Sequence, residues 1–144
     1  MQIRRDSTGY LIRVQKGERV RETLTAFARD HGVTGARVQA IGAFDEAELA
    51  YFDESEQAYR NRTFGGGLEV LALLGNISRL PDGEPMVHLH AMLGTSDYSV
   101  VGGHLNEGLV SVTIEAFVTP TDEPIDREEP FGPFKLWNLE KPGR

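Results

Sequence analysis

Short apolar or alternating runs separated by turn residues make up most of the chain from residue 36 onward, and this pattern limits the fold more than any other feature. Runs of about four to eight such residues bounded by Gly, Pro, Asn or Asp are typical of β-strands. The runs are Arg37 to Ala43, Glu48 to Phe52, Leu68 to Leu74, Val87 to Leu93, Ser99 to Val101 and Val110 to Val118. Short connections such as Pro81-Asp82-Gly83 and Asn106-Glu107-Gly108 favour antiparallel pairing, because parallel strands need long crossovers.

The N-terminal part of the chain adds one strand and one helix. The turn residues Asp6 to Gly9 precede a short predicted strand, Tyr10 to Val14. The segment from Arg19 to His31 has the apolar spacing of an amphipathic helix, and Gly32 is placed to end it. The apolar positions are Val20, Leu24, Phe27 and Ala28. We therefore predict an α+β fold, a mainly antiparallel β-sheet with one principal packed helix.

The length of 144 residues and a hydrophobic content of 40% fit one domain spanning residues 1–144. Gly65-Gly66-Gly67 is expected to be a flexible connector, since the Lys-Ser/Thr of a phosphate-binding loop is missing. The stretch from Thr119 to Pro133 holds four prolines and five acidic residues and is predicted to be a loop. Trp137, together with Phe134, Leu136 and Leu139, is expected to return as a last strand that covers apolar surface.

Composition excludes several classes of function. The absence of cysteine excludes thiolate catalysis, disulfide scaffolds and Cys-based metal sites, and it fits the reducing cytosol. The chain shows neither an apolar signal segment nor a long apolar run, so we expect a cytoplasmic protein without membrane association. A net charge of −7 argues against broad adhesion to DNA. Residues 1–37 nevertheless carry 8 basic and 4 acidic side chains, which leaves room for a local basic patch.

Three of the 4 histidines form a cluster, in His88-Leu89-His90 and at His104. Residues i and i+2 of a strand point to the same face, so the imidazoles of His88 and His90 can converge on one ion. Antiparallel pairing across the Gly94 to Tyr98 connection would bring His104 to the same place. Three imidazoles without a thiolate suit a divalent ion such as zinc and leave a fourth position open. The alternative is a set of surface histidines on a solvated strand.

Three further residues belong to this hypothesis. Glu115 is a candidate fourth ligand, a residue that orients a ligand, or a general base, although an outward carboxylate in an alternating strand explains it as well. Gly102 and Gly103, immediately before His104, permit a close backbone approach or a bulge that aims the imidazole. Glycine pairs are equally common at turns, so both interpretations stay open.

Seven short motifs, taken together and in this order, are specific enough to indicate a family. They are Val38-Gln39-Ala40-Ile41-Gly42-Ala43, Leu68-Glu69-Val70-Leu71, Gly75-Asn76-Ile77-Ser78, Asp82-Gly83-Glu84-Pro85, His88-Leu89-His90-Ala91, Val101-Gly102-Gly103-His104-Leu105 and Thr113-Ile114-Glu115. Through these motifs the chain resembles the plants-and-prokaryotes conserved (PPC) domain over nearly its whole length. The resemblance implies an α+β fold, assembly as a homotrimer, and a metal ion, zinc, at His88, His90 and His104. Members of this family are often described as DNA-binding, but the Arg-Gly-Arg-Pro core of an AT-hook does not occur in this sequence.

Four hypotheses about function follow. The first is a trimeric metal-binding domain whose site takes a small-molecule ligand or regulates assembly. In the second, a zinc-bound water with its pKa lowered toward about 7 attacks a small polar substrate. The third is a DNA-binding or chromatin-associated protein, supported by the family description and the basic N-terminal segment. The fourth is an interaction module whose trimer is itself the functional object.

Overall fold

The computed structural model describes residues 1–128, 132 and 134–140. This part of the chain contains six strands and one helix in the order β1, β2, α1, β3, β4, β5, β6. Their bounds are β1 Gln2–Arg5, β2 Tyr10–Gln15, α1 Val20–Asp30, β3 Ala36–Asp53, β4 Ala58–Arg79, β5 Pro85–Gly94 and β6 Val100–Pro120. Within the described ranges, no helix is long and apolar enough to cross a membrane.

All six strands belong to one antiparallel sheet, in the order β1-β2-β6-β3-β4-β5, which confirms the predicted antiparallel β-sheet with one packed helix. The long strand β6 has different neighbours along its length. Residues 100–104 pair with β5, whereas residues 113–118 pair with β2. Strands β3, β4, β5 and β6 therefore form a closed ring of hydrogen-bonded neighbours, and β1 and β2 extend it on one side.

Two pairs of predicted short strands are single long strands, so the predicted turns between them are wrong. The runs Arg37 to Ala43 and Glu48 to Phe52 both lie in β3, and the run Val110 to Val118 lies in the same strand as Val101. Asn106-Glu107-Gly108, expected to be a turn, lies inside β6. The physical reason is a series of β-bulges, seen as register shifts along the β3–β6 ladder. Each bulge interrupts the apolar alternation without ending the strand.

The glycine triplet is also part of a strand. Gly65-Gly66-Gly67, predicted to be a connector, lies within β4, where Gly65 pairs with Glu46 of β3. Gly66 and Gly67 have positive φ angles of 89° and 84°. Glycine tolerates this backbone conformation, which other residues rarely adopt, so Gly66 and Gly67 accommodate the register shift between Phe44 and Glu46 of β3 without ending β4.

The predicted amphipathic helix is confirmed as α1, and a residue of strand β6 accepts hydrogen bonds from its first turn. Its buried residues are Val20, Leu24, Phe27 and Ala28. The side chain of Arg19 at the N-cap makes no capping hydrogen bond. Instead, the Glu107 carboxylate of β6 accepts hydrogen bonds from the backbone N–H groups of Arg21, at 2.8 Å, and Glu22, at 3.1 Å. The bulged part of β6 thus supplies the acceptor that a helix N-terminus requires.

The sequence predicts the turn and the second strand of the N-terminal hairpin but not its first strand. The turn at Asp6 to Gly9 is confirmed, since Asp6 Oδ1 accepts hydrogen bonds from the N–H groups of Thr8 and Gly9. Strand β1, which precedes the turn, was missed. All four of its residues are exposed, so it lacks the apolar alternation that marks a strand in the sequence.

The segment around Trp137 does not form the predicted last strand. It returns to the fold through an isolated bridge between Arg127 and Trp137 and a hydrogen bond from the Glu128 N–H to the Leu136 carbonyl, at 2.9 Å. Leu136, Trp137 and Leu139 remain exposed, so apolar burial does not drive the return. The predicted loop begins after Pro120, where β6 ends. Part of it, residues 129–131 and 133, lies outside the described residues.

Candidate metal centre

The three clustered histidines lie side by side on β5 and β6. Along β5, Val87, Leu89 and Ala91 are buried, so His88 and His90 project from the opposite face of the strand. His104 of β6 is paired directly with His90. The predicted hairpin and the predicted convergence of the histidines are therefore present in the structure.

The imidazoles are close enough to share one ion. The ring centroids lie 5.2 Å apart for His88 and His90, 5.0 Å for His88 and His104, and 5.4 Å for His90 and His104. Each ring offers a nitrogen, and these ligand atoms all lie within 4.8 Å of one another. Three nitrogens bound to a tetrahedral zinc ion at about 2.0–2.1 Å would be roughly 3.3 Å apart. Small side-chain rotations would therefore suffice, and the residues fit a divalent ion.

The electrostatic environment keeps two of the imidazoles neutral. Burial, with the positive charge of neighbouring groups, lowers the pKa of His88 to about 4. Burial and the nearby His90 also lower the pKa of His104. An imidazole must be deprotonated to coordinate a metal, so both side chains are ready to bind at neutral pH.

A pocket of about 370 Å³ opens beside the triad and includes His88 and His104 in its wall. Tyr59, Asn61 and Asn106 contribute polar groups to the same wall. The Tyr59 ring lies 5.8 Å from the ring of His104. The Tyr59 ring also packs against the ring of Phe52, and Phe52 packs against Phe134. An aromatic chain thus joins the C-terminal segment to the histidines.

Arg127 brings a buried positive charge to this pocket. Its side chain is 8% exposed. Its guanidinium donates hydrogen bonds to Ser78 Oγ, at 2.6 Å, to Asn76 Oδ1, at 2.9 Å, and to the carbonyl of Lys135. Burial lowers the pKa of Arg127, but a guanidinium remains protonated at physiological pH. The acidic, proline-rich surroundings of Arg127 gave no sequence signal for a buried cation, and we did not predict its role.

Of the interpretations left open for Gly102 and Gly103, the structure shows the close backbone approach, and these residues form neither a bulge nor a turn. Both pair in regular register with β5, and neither has a positive φ angle. A Cβ atom at Gly102 would lie 3.0 Å from the Ala91 carbonyl oxygen, and one at Gly103 would lie 2.9 Å from the Ala50 carbonyl oxygen. The β3–β6 register shift lies just beyond His104, at Asn106.

Glu115 lies far from the histidines. It is an exposed residue near the other end of β6, where it pairs with Arg13 of β2 and Ile41 of β3. The group of converging ligand atoms among the described residues does not include it. Its position matches the alternative interpretation, an outward carboxylate in an alternating strand. The remaining histidine, His31, packs at the end of α1 against Phe27.

Comparison with solved structures shows close relatives of this fold. A Bacteroides thetaiotaomicron protein provisionally described as DNA-binding is 28% identical, with a TM-score of 0.91 over 97% of this chain and 98% of its own. A plant- and prokaryote-conserved (PPC) protein of Pyrococcus horikoshii is 34% identical, with a TM-score of 0.83 over 92% of each chain. A metal-containing protein of Archaeoglobus fulgidus is 32% identical, with a TM-score of 0.80 over 89% of this chain and 91% of its own.

The family comparison agrees with these likenesses and with the resemblance seen in the sequence. No curated protein matches the chain. The model of the Plants and Prokaryotes Conserved (PCC) domain matches residues 1–122, a range that includes the sheet, the helix and all three clustered histidines. The chain therefore belongs to the Plants and Prokaryotes Conserved domain family.

Proposed function

We propose that this protein binds one divalent metal ion, zinc, through His88, His90 and His104, and that the open side of the ion takes a small-molecule ligand. The observation that carries the proposal is the convergence of three imidazole nitrogens within 4.8 Å. Imidazole ligands without a thiolate or a carboxylate among them suit zinc and neighbouring transition metals. The metal-containing relative from Archaeoglobus fulgidus, 32% identical, supports the same conclusion.

Three protein ligands would leave one coordination position open, as in zinc sites that act on a ligand. The ion would supply a Lewis acid that polarises an oxygen of a molecule in that position. The pocket of about 370 Å³ beside His88 and His104 has room for such a molecule. Since none of the described residues that line this pocket is an aspartate or a glutamate, the geometry favours ligand binding over hydrolysis with a carboxylate base.

Metal stoichiometry tests the proposal directly. Untagged wild-type protein, loaded with zinc and desalted, is expected to hold about one zinc ion per chain by elemental mass spectrometry. The H88A/H90A/H104A variant should hold almost none. His31→Ala is the matched control, because this histidine packs at the end of α1 and should leave the zinc content unchanged. Equal zinc content in the wild type and the triple variant, or none in either, would reject the site.

We also propose that the chain assembles as a homotrimer. Support comes from large apolar side chains that a single chain leaves exposed on its strands, including Ile41, Val112 and Phe117. Exposed apolar surface of this kind is typical of protein interfaces. Sedimentation at micromolar concentration is expected to give three times the mass of the chain, and a monomer under these conditions would contradict the assembly.

DNA binding is a second candidate, favoured by the provisional description of a 28% identical relative and by exposed arginines on the N-terminal hairpin. Arg4 and Arg5 lie on β1, and Arg13 lies on β2. Phosphate contacts would make the affinity fall steeply as salt rises. A fluorescently labelled duplex should therefore bind at about 50 mM salt and lose affinity with R4E/R5E. No binding at that salt concentration would exclude this candidate.

A further inference from the structure

The pocket beside the histidines contains a buried positive charge that forms no ion pair with a described acidic residue. Arg127 is 8% exposed and lines this pocket together with His88 and His104. Its three hydrogen bonds go to neutral acceptors: a serine hydroxyl, an asparagine amide and a backbone carbonyl. None of the ion pairs formed between described residues includes Arg127.

A buried guanidinium without a countercharge is energetically unfavourable, since neutral acceptors replace only part of its hydration. The hydrogen bonds account for the position of the side chain, but they leave its charge uncompensated. Three of the five guanidinium N–H groups would serve these bonds, and two remain for another acceptor. Planar carboxylates are preferred partners of such a fork of donors.

The rest of the pocket also favours an anion. Lys135, an exposed residue, lines it and adds a second positive charge. The side chains of Tyr59 and Asn61 provide neutral groups that can donate hydrogen bonds. A divalent ion on the histidines would raise the positive potential further. The volume of about 370 Å³ is at the small end of ligand pockets, which limits the occupant to a small molecule.

We infer that the ligand of this pocket is a small organic carboxylate, held between the metal ion at the histidine triad and the guanidinium of Arg127. The inference rests on the proposed metal site and adds the chemical class of its ligand. One carboxylate oxygen binds at the open coordination position, and a second anionic group pairs with Arg127. Inorganic phosphate shares the negative charge but is shorter, so it serves as the competing probe.

Isothermal titration of the zinc-loaded full chain with malonate, and separately with phosphate, tests the inference. Zinc content is first measured for each variant by elemental mass spectrometry. Malonate should bind the wild type, and Arg127→Gln should weaken its binding at least tenfold while zinc content stays unchanged. Arg13→Gln, an exposed arginine on β2, is the matched control and should bind malonate like the wild type.

Arg127→Gln removes structural hydrogen bonds, so thermal melting accompanies each titration. Should this variant fail to fold, Arg127→Lys and Lys135→Met replace it, and each should still weaken malonate binding by severalfold. Two results would overturn the inference but not the proposed metal site. One is a wild type with normal zinc content that does not bind malonate, and the other is malonate binding that none of the substitutions at Arg127 and Lys135 weakens. Binding of phosphate alone would overturn the carboxylate class. A wild type that holds no zinc would reject the metal site and the inference together.

Discussion

Replacing Glu107 with alanine should destabilise the protein by about 1–2 kcal/mol, because this residue of β6 caps α1 across the fold. Its carboxylate accepts hydrogen bonds from the N–H groups of Arg21 and Glu22, at 2.8 and 3.1 Å. Loss of an N-capping acceptor typically costs about 1 kcal/mol. Loss of a negative charge beside a helix N-terminus costs about 0.3–1 kcal/mol more.

Glu107→Gln removes part of this interaction. Each carboxylate oxygen accepts from one of the two N–H groups, so the amide keeps one acceptor and loses both the other acceptor and the charge. We expect a destabilisation smaller than that of Glu107→Ala but of at least about 0.3–1 kcal/mol. Urea unfolding followed by circular dichroism measures both variants, at one fixed protein concentration because assembly adds to apparent stability. Glu115→Ala is the matched control, since this exposed glutamate lies on the same strand. Equal unfolding midpoints for Glu107→Ala and Glu115→Ala would refute the capping role.

Three further predictions concern packing, pH and metal removal. Gly108→Ala should lower the free energy of unfolding by about 1–3 kcal/mol in urea, because the alanine Cβ would lie 2.5 Å from the ring of the fully buried Phe44. An unchanged free energy of unfolding would contradict this clash and show that the ring can move. In metal-free protein, the pKa of His88 falls from 6.5 in the unfolded chain to about 4 in the folded one, so the unfolded state binds more protons between these values. The free energy of unfolding, measured by urea unfolding, should thus fall as the pH drops from 6.5 toward 4, and His88→Gln should make this fall smaller. The same pH dependence in the variant and the wild type would contradict the lowered pKa of His88. Zinc at 100 times its Kd should raise the free energy of unfolding of the wild type by about 2.7 kcal/mol in thermal unfolding, and a chelator should reverse this increase. An unchanged unfolding temperature on adding zinc would contradict binding to the folded state.

The helix and the histidine hairpin were predictable because their signals are local. Val20, Leu24 and Phe27 mark one face of α1 by spacing alone, and all three are buried. His88 and His90 share a strand face because they are two positions apart, and a short connection returns the chain to His104. Local periodicity and connection length are properties of the sequence itself.

The long strands were not predictable, because bulges hide their continuity. Asn106 to Gly108 has the composition of a turn, yet it lies within β6, where Gly108 packs against Phe44 and Glu107 caps the helix. The same composition suits either role, and only pairing with β3 decides between them. Gly65 to Gly67 shows the same ambiguity, since positive φ angles are compatible with a connector and with a bulge inside a strand.

The sequence by itself determined the class of fold, the position of helix α1 and the identity of the three clustered histidines, because each depends on residues close together along the chain. The tertiary structure alone decided which distant groups join them. It placed Glu115 near the far end of β6 and brought Arg127 from an acidic, proline-rich segment into the pocket beside His88. Such contacts depend on strand register and chain reversal, which arise only when the whole sheet closes.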